Sequence, residues 1–256
     1  MDFAAVARRF EAKHLQLTLA LADETLRFGD ECAAAFAGHG AYSNRVTGFG
    51  LAPEHVDRAI AFFDARGEDT KLETSSYAPA PVLDAVAARG FQLRFFTHVL
   101  ALSVRDVART PPPAGITIER LDRTDASAVR AAAVHNDRCF SPEREPSEIA
   151  VGRTMMHLTM PTNDTFVARA RGEIVGVGCS ESSHGLTILF GGAVRPDHRG
   201  RGLQQALMNV RLAAAHERGS DLACVMTGPG TSSERNARRA GFQLAGARAF
   251  FARPRP

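Results

Sequence analysis

Tryptophan is absent from this chain of 256 residues, and no tyrosine follows Tyr77. The four cysteines form no Cys-x-x-Cys pair and have no metal-site spacing, so we expect reduced, mostly buried thiols and no metal. No stretch approaches the ~20 apolar residues that span a bilayer, and Arg8-Arg9 is followed by no uninterrupted apolar segment typical of a signal peptide. We therefore expect a cytoplasmic protein that has no membrane partner.

The composition is that of a globular protein, with 45% apolar and 23% charged residues. Its length suits one large domain or two of ordinary size. The formal charge of +3 is compatible with an anionic ligand but falls short of a nucleic-acid-binding composition. No basic stripe with interleaved aromatic residues is present, so we expect no nucleic-acid partner.

Three consecutive prolines, Pro111-Pro112-Pro113, give the clearest break in the chain. They lack backbone donors and favour extended geometry, which is typical of a linker. The sequence therefore predicts a first domain over 1–109, a linker over 110–115 and a second domain over 116–256.

Hydrophobic periodicity and turn residues predict a mixed α/β order in the second domain. The predicted strands are 116–121, 165–170, 173–179, 186–194, 222–226 and 243–251. The predicted helices are an Ala-rich helix capped by a residue of 122–125 and running to Arg138, then 147–158, 202–216 and 232–240.

The two halves of the chain also resemble each other. Two landmarks recur at nearly the same spacing. The distance along the chain from Gly67 to Gly219 is almost equal to that between the Gly-Phe pairs that begin at Gly90 and Gly241. This favours duplication of a helix–strand–helix–strand unit, although chance similarity among abundant Ala, Arg and Gly is the alternative. The first half lacks an Arg-Gly-Arg-Gly segment, so we expect only the second copy to bind phosphate.

That segment, Arg199-Gly200-Arg201-Gly202, lies between a predicted buried strand and a predicted helix. Glycines allow close approach of the backbone, N–H groups at a helix start bind anions, and arginines add charge-assisted bonds. A P-loop is excluded because no Gly-Lys-Ser/Thr follows, and the dinucleotide fingerprint fails because residue 205 is Gln. A solvated turn is the alternative interpretation.

In its setting the segment resembles motif A of the GNAT superfamily of acetyltransferases, Gln/Arg-x-x-Gly-x-Gly/Ala. Arg199, Gly202 and Gln204 fall on its defined positions, and the long side chain of Gln204 departs from the motif. Downstream, 233–242 resembles the short helix ending in Gly-Phe that closes this family's domain. The resemblance implies an α/β GNAT-type acyl-CoA acyltransferase fold with a mixed sheet, in two tandem GNAT-like domains of which the first is degenerate.

The resemblance also implies how acetyl-CoA binds as co-substrate. Its pantetheine arm would enter between the splayed strands 186–194 and 222–227, bonding to backbone, while its pyrophosphate would rest on the loop. Gly191-Gly192 suits a bulge whose N–H polarises the thioester carbonyl, or it only relieves crowding. The predicted cofactor-binding residues are Ala193, Val194, Arg199, Gly200, Arg201, Gly202, Leu203, Gln204 and Asn236.

For catalysis, Glu181 and His184 are the predicted base candidates, because both precede the strand 186–194. Each is alternatively a solvated hairpin residue. The tyrosine acid of many family members is absent, and Ser233, or the adjacent Ser232, is a candidate hydrogen-bond donor to the sulfur or a plain helix cap. The run 135–137 is a candidate for the acceptor side.

The expected function is acetyl transfer from acetyl-CoA to an amine of a small molecule or peptide, by direct attack in a ternary complex. The alternative is a non-catalytic acyl-CoA sensor or scaffold, suggested by the absent tyrosine and by Gln204. The first domain is expected to form one side of the acceptor cleft. Its residues Arg45, Glu73 and Tyr77 either face the substrate or are structural. We expect a monomer or homodimer.

Overall fold

The computed structural model describes residues 1–106 and 111–255. Contacts group these residues into two compact units. The first unit contains Met1–Leu100, Thr227–Glu234 and the segment from Leu244 onward, and the second contains Ala101–Met226 and Arg235–Gln243. The start of the predicted linker at Thr110 and the predicted end of the first domain at Arg109 lie outside the described residues, so the domain boundaries stay a prediction.

Seven helices and eleven strands make up the described parts of the chain. The helices are α1 (Phe3–Ala20), α2 (His55–Asp64), α3 (Ala80–Ala88), α4 (Ala126–Phe140), α5 (Glu148–Thr159), α6 (Leu203–Glu217) and α7 (Ser232–Arg239). The strands are β1 (Glu24–Arg27), β2 (Cys32–Phe36), β3 (Arg45–Gly48), β4 (Thr70–Ser75), β5 (Gln92–Ser103), β6 (Ile116–Arg120), β7 (Asn163–Ala170), β8 (Glu173–Ser183), β9 (Leu186–Val194), β10 (Leu222–Thr227) and β11 (Gln243–Arg253).

The first unit has the strand order β1-β2-β3-β4-β11-β5, so the last strand of the chain lies within it. β11 runs antiparallel to β4, from Arg248↔Ser75 to Arg253↔Thr70. The sequence had grouped residues 243–251 with the second domain. Strand pairing is therefore non-local here, and no local pattern in the sequence marks it.

A buried ionic network fixes β11 in that sheet. Nε of Arg248 lies 3.0 Å from Glu11 of α1, and its Nη2 lies 2.7 Å from Glu73 of β4. Arg45 of β3 also pairs with Glu73, and His14 contacts the same carboxylate at 3.3 Å. Burial opposes ionisation of Glu73, but the neighbouring Arg248, His14 and Arg45 outweigh it and hold its pKa below the usual range. In these contacts, Arg45 and Glu73 are structural.

The duplicated pattern corresponds to the same succession of elements in each half. Gly67 and Gly90 have φ of 70° and 76°, and their counterparts Gly219 and Gly241 have φ of 74° and 94°. Each pair brackets a strand and a helix, β4–α3 in the first half and β10–α7 in the second. In the first half, helix α2 begins at His55 directly after Pro53-Glu54, with no Arg-Gly-Arg-Gly loop before it.

The second unit has the order β10-β9-β8-β7-β6, with β6 to β9 antiparallel and β10 parallel to β9. Every predicted element of this half is present, and their bounds agree closely with the predicted ones. The carboxylate of Asp125 accepts from the N–H of Ala128 and so caps α4, as the sequence predicted. The predicted mixed α/β architecture is confirmed.

Helices cover both faces of the part of the sheet that lies in this unit. Val177 and Cys179 of β8 pack beneath α4 and α5, in a cluster with Val129 and Val151. Successive strand residues point to opposite faces, so the intervening Gly178 faces α6. None of the described helices has the length and apolar character that crossing a membrane requires. The cytoplasmic location stays a prediction.

Candidate functional site

Strand β9 bulges at its double glycine. Val177 of β8 pairs with Ala193, but Cys179 pairs with Phe190, so β9 holds one extra residue between these positions. Gly191 has φ of 56°, and a Cβ placed on it would stand 3.2 Å from Sγ of Cys179. Only glycine satisfies this backbone angle and close approach without strain. The predicted bulge at Gly191-Gly192 is confirmed.

Beyond the bulge, β9 separates from the parallel strand β10. The register runs from Leu222↔Leu186 to Val225↔Leu189 and ends there, whereas β9 continues five residues further to Val194. Phe190 to Val194, which includes the bulge, therefore has no strand register with β10. A strand edge of this kind offers main-chain N–H and C=O groups to an extended ligand.

Side chains from two helices hold the carbonyl groups of the bulge. Nδ2 of Asn136, in α4, donates to the carbonyl of Gly191 at 2.9 Å. Nη1 of Arg211, in α6, donates to the carbonyls of Cys179 at 3.2 Å and Phe190 at 3.3 Å. Asn136 belongs to the run 135–137 that the sequence singled out. Arg211 was missed, because an arginine in a predicted helix ordinarily lies at the surface.

The loop 199–202 follows β9 directly and opens α6. Gly200 and Gly202 have φ of 74° and 82°, and Gly202 is the N-cap of the helix without any side-chain cap bond. The first helical N–H groups, from Leu203 onward, therefore have no carbonyl partner within the helix. Nε of Arg199 donates to the carbonyl of Val194 at 2.9 Å, which ties the loop to the end of the strand. This arrangement can bind an anion.

Gln204, the departure from the family motif, turns its side chain toward the bulge. Its Nε2 atom would stand 2.8 Å from a Cβ on Gly192. The first turn of α6 and the bulge of β9 are thus in direct proximity. Because Gly192 has no side chain, it leaves the space that the Gln204 amide uses.

Asn236 lies close to the same helix start, through its main chain. Its carbonyl accepts from Nε2 of Gln205 at 2.7 Å, whereas its side-chain oxygen accepts from Arg239 at 2.8 Å. The structure therefore brings Ala193, Val194, the loop 199–204 and Asn236 together in the second unit. Their contact with a cofactor stays a prediction.

The two predicted base candidates lie further from the bulge. Glu181 is buried in β8, 2% exposed, and pairs in register with Ile188, two residues before Phe190. His184 occupies the first position of the two-residue turn between β8 and β9, with φ of 51°. Four strand residues, ~13 Å, separate the start of β9 from Phe190. His184 is therefore a turn residue. Its catalytic role stays a prediction, as does that of Glu181.

Ser233 lies exposed in the first turn of α7, within the segment that groups with the first unit. Its neighbour Thr231 supplies the cap, because its hydroxyl accepts from the N–H of Glu234 at 3.3 Å. The Glu234 carboxylate in turn accepts from the N–H of Gly230, the residue before the cap, at 2.7 Å. The cap interpretation for Ser233 is not supported by these contacts, and its bond to a sulfur stays a prediction.

The end of α4 near β9 carries a histidine, a cysteine and an ion-paired aspartate. Burial and the charge of Arg195 lower the pKa of His135 to about 4, so its ring is neutral at pH 7. Sγ of Cys139 lies 3.5 Å from its Nε2. Asp137 pairs with Arg144 at 3.0 Å. No group of three or more His, Cys, Asp or Glu residues in the described ranges is arranged to hold a metal ion.

These features define a mixed α/β domain with a bulged, open strand edge leading to a helix start without a side-chain cap. Residues 130–242 match the family model described as "Acetyltransferase (GNAT) family". These residues are therefore similar to that family, which confirms the resemblance predicted from the sequence and supports an acyltransferase. No curated protein matches the chain.

Solved structures resemble the chain over nearly its whole length. A GCN5-related N-acetyltransferase from Kribbella flavida is 18% identical with a TM-score of 0.76, covering 98% of this chain and 96% of its own. A tandem GNAT protein from the clavulanic acid biosynthesis pathway is 14% identical with a TM-score of 0.65, covering 97% of both chains. A GCN5-related N-acetyltransferase from Sphaerobacter thermophilus is 16% identical, with a TM-score of 0.59 and coverage of 89% and 82%. At these identities the likeness establishes the GNAT fold.

Proposed function

We propose that the chain transfers an acetyl group from acetyl-CoA to an amine of a small molecule or peptide. The observation that carries this proposal is the continuity of three features within one GNAT domain. The bulge at Gly191, the edge of β9 up to Val194 and the loop from Arg199 to Gly202 follow one another along the chain. Together they match the acyl, pantetheine and pyrophosphate portions of one extended substrate.

The loop fits a diphosphate by its chemistry. Successive N–H groups from Gly200 to Gln204 would bind the phosphates at the start of α6, where the helix dipole favours negative charge. Arg199 and Arg201 would add charge-assisted hydrogen bonds. A Cβ on Gly200 or Gly202 would meet no atom within 4 Å, so a ligand can approach the backbone there.

The strand edge fits an extended amide-bearing arm. Main-chain groups of Ala193 and Val194 would pair with the amides of pantetheine as a neighbouring strand does. The acyl group would then lie at the bulge, where an N–H can bond to the thioester oxygen. Such a donor contributes ~3–4 kcal/mol when negative charge develops on that oxygen.

In the reaction the amine nitrogen bonds to the acyl carbon, the carbon–sulfur bond breaks and the amine loses a proton. A lysine-like amine has a pKa of ~10.4, so the proton must be removed before or during attack. We propose that water carries it to Glu181, the carboxylate whose strand partner lies two residues, ~7 Å, before the bulge. The leaving thiolate has a conjugate-acid pKa of ~8.5 and can depart without an acid, which is consistent with the absence of tyrosine after Tyr77.

We propose further that the first unit is a degenerate copy that does not bind CoA. Its strands β3 and β4 are parallel, as β9 and β10 are. However, no Arg-Gly-Arg-Gly segment precedes α2, and its N-cap is the acidic Glu54, so its start lacks a cationic diphosphate pocket. Acetyl transfer would then belong to the second unit alone.

Turnover tests the proposal against the alternative of a non-catalytic acyl-CoA sensor. The full chain is incubated with acetyl-CoA and a panel of small-molecule amines and peptides, and acetylated product is followed by mass spectrometry together with release of CoA thiol. We expect product with at least one amine, and its loss in Arg199→Ala but not in the matched variant Arg94→Ala in β5. CoA binding without product from any amine would support the sensor instead.

A further inference from the structure

Arg211 is an unusual residue for the interior of a domain. It is 2% exposed, and no described carboxylate forms an ion pair with it. Among the described residues its guanidinium bonds to main-chain carbonyls, with Nε donating to Leu207 at 2.9 Å and Nη1 to Cys179 and Phe190. Burial lowers its pKa to about 10. Burying a charge without a counter-charge costs free energy, so a functional role for this guanidinium is expected.

Two glycines of the sheet make room for it. A Cβ on Gly178 would lie 3.0 Å from its Nε and 3.2 Å from Cζ, and one on Gly192 would lie 3.6 Å and 3.7 Å from its Nη atoms. The guanidinium therefore rests against the bare backbone of β8 and β9, at the bulge itself. A methyl group at position 178 would therefore press on the guanidinium, whereas one at position 192 would make ordinary contact with it.

The bond to Phe190 acts on the next peptide group. In a planar trans peptide, the N–H of Gly191 points opposite to the carbonyl of Phe190, and hence away from Arg211. A donor at the carbonyl polarises the peptide and strengthens its N–H as a donor. Asn136 makes the same kind of contact one peptide later, because it binds the carbonyl of Gly191.

Resting on the proposed function, we propose that Arg211 is a positioning residue for acyl transfer. Through the Phe190–Gly191 peptide, it fixes the bulge and directs positive charge toward the oxygen of the bound acyl group. Asn136 supports the following peptide without adding charge. The charge of Arg211 thus polarises the acyl carbonyl and does not change the contacts of the diphosphate with the loop.

The carbonyl stretch of bound acetyl-CoA, labelled with carbon-13 at the acyl carbon, reports this effect without turnover. In difference infrared spectra we expect the carbonyl of wild type at lower frequency than that of Arg211→Met. The affinity for CoA, measured by calorimetry, should change less than threefold. Where turnover is measured, kcat should fall about tenfold or more while KM for acetyl-CoA stays nearly constant. Arg130→Met, an exposed arginine of α4, serves as the control and should match wild type.

Arg211→Lys should restore part of the lowered carbonyl frequency. Lysine supplies the positive charge, but its ammonium group lacks the planar set of donors that a guanidinium has. A buried lysine loses its proton at lower pH than a buried arginine, so the alkaline limb of the kcat profile should shift to lower pH. A merely structural role would leave that limb in place. Should Arg211→Met fail to fold, Gly178→Ala provides a second variant. It keeps the arginine but shifts its guanidinium, and it should raise the carbonyl frequency as Arg211→Met does.

An equal carbonyl frequency in wild type, Arg211→Met and Gly178→Ala overturns the inference while leaving acetyl transfer intact. Failure of wild type to bind acetyl-CoA overturns the proposed function, and the inference with it. Binding without turnover, combined with the expected frequency difference, supports the role of Arg211 and counts against the transferase alone.

Discussion

The side-chain nitrogen of Gln204 lies over Gly192, so close that a Cβ on the glycine would stand only 2.8 Å from it. The first turn of α6 and the bulge of β9 are therefore sterically coupled. This coupling explains how a long side chain is accommodated where the family motif has Gly or Ala.

Substitution at these two positions should be non-additive. Gly192→Ala crowds the end of the flexible glutamine side chain and should destabilise the chain by ~1 kcal/mol, the low end of overpacking costs. Gln204→Ala removes the obstructing amide, so the double variant should be more stable than the sum of the two single effects by at least ~0.5 kcal/mol. Urea unfolding of the four proteins measures this coupling. Strictly additive values would show that the two side chains do not meet.

The ionic network around Arg248 should be essential to the stability of the first unit. Arg248→Met leaves Glu11 and Glu73 buried beside each other without their shared cation. Removing one partner of a buried pair costs ~3–5 kcal/mol, and we expect a loss in this range by urea unfolding. Arg89→Ala breaks only the exposed pair with Asp57 and serves as the control. A loss no greater than that of the control would contradict this description.

Acid should destabilise the protein partly through His135. Its pKa is about 4 when folded and ~6.5 when unfolded, so the unfolded chain binds the proton more readily. Stability is therefore unaffected by this group above pH ~6.5 and falls as the pH drops from ~6.5 toward 4. His135→Gln should unfold with a shallower dependence of stability on pH over that window. His14 and His157 have lowered pKa values as well and should retain part of the slope. Parallel curves for variant and wild type would refute the assignment.

Residues 114–256 should not be stable alone. They contain β11, whose partner β4 and whose ionic contact Glu11 are in the removed part. The fragment would expose an unpaired strand bearing Phe250 and Phe251, which favours aggregation. Size-exclusion chromatography of the fragment, with and without co-expressed 1–113, provides the test. A monomeric fragment with a thermal midpoint equal to that of the full chain would overturn this expectation.

The features predicted from the sequence are those with local signals. Gly200 and Gly202 mark the loop because their φ angles demand glycine, and Gly191 marks the bulge for the same reason. The sequence also predicts hairpin turns and a cap at the start of α4, where Asp125 lies, since each depends on a few neighbouring residues. The family resemblance rested on the same loop.

The remaining features depend on contacts between distant residues. Nothing near Arg211 shows that it is buried, because its environment is created by Gly178 in another element. A pair of glycines inside the β8 pattern was the one available signal, since strand glycines often mark a close approach. The sequence predicts His184 as a base candidate, but His184-Gly185 is also a two-residue turn, and the structure shows that turn.

The central claim is that the loop 199–204 binds the diphosphate of CoA, and calorimetric titration with CoA tests it most directly. We predict one site per chain in wild type, and an affinity about tenfold or more weaker in Arg199→Ala and in Arg201→Ala, since each loses a charge-assisted bond of ~1.5–3 kcal/mol. Arg94→Ala should bind as wild type does. Wild type that binds no CoA at millimolar concentration, or binding that is equally strong in all four proteins, would contradict the account.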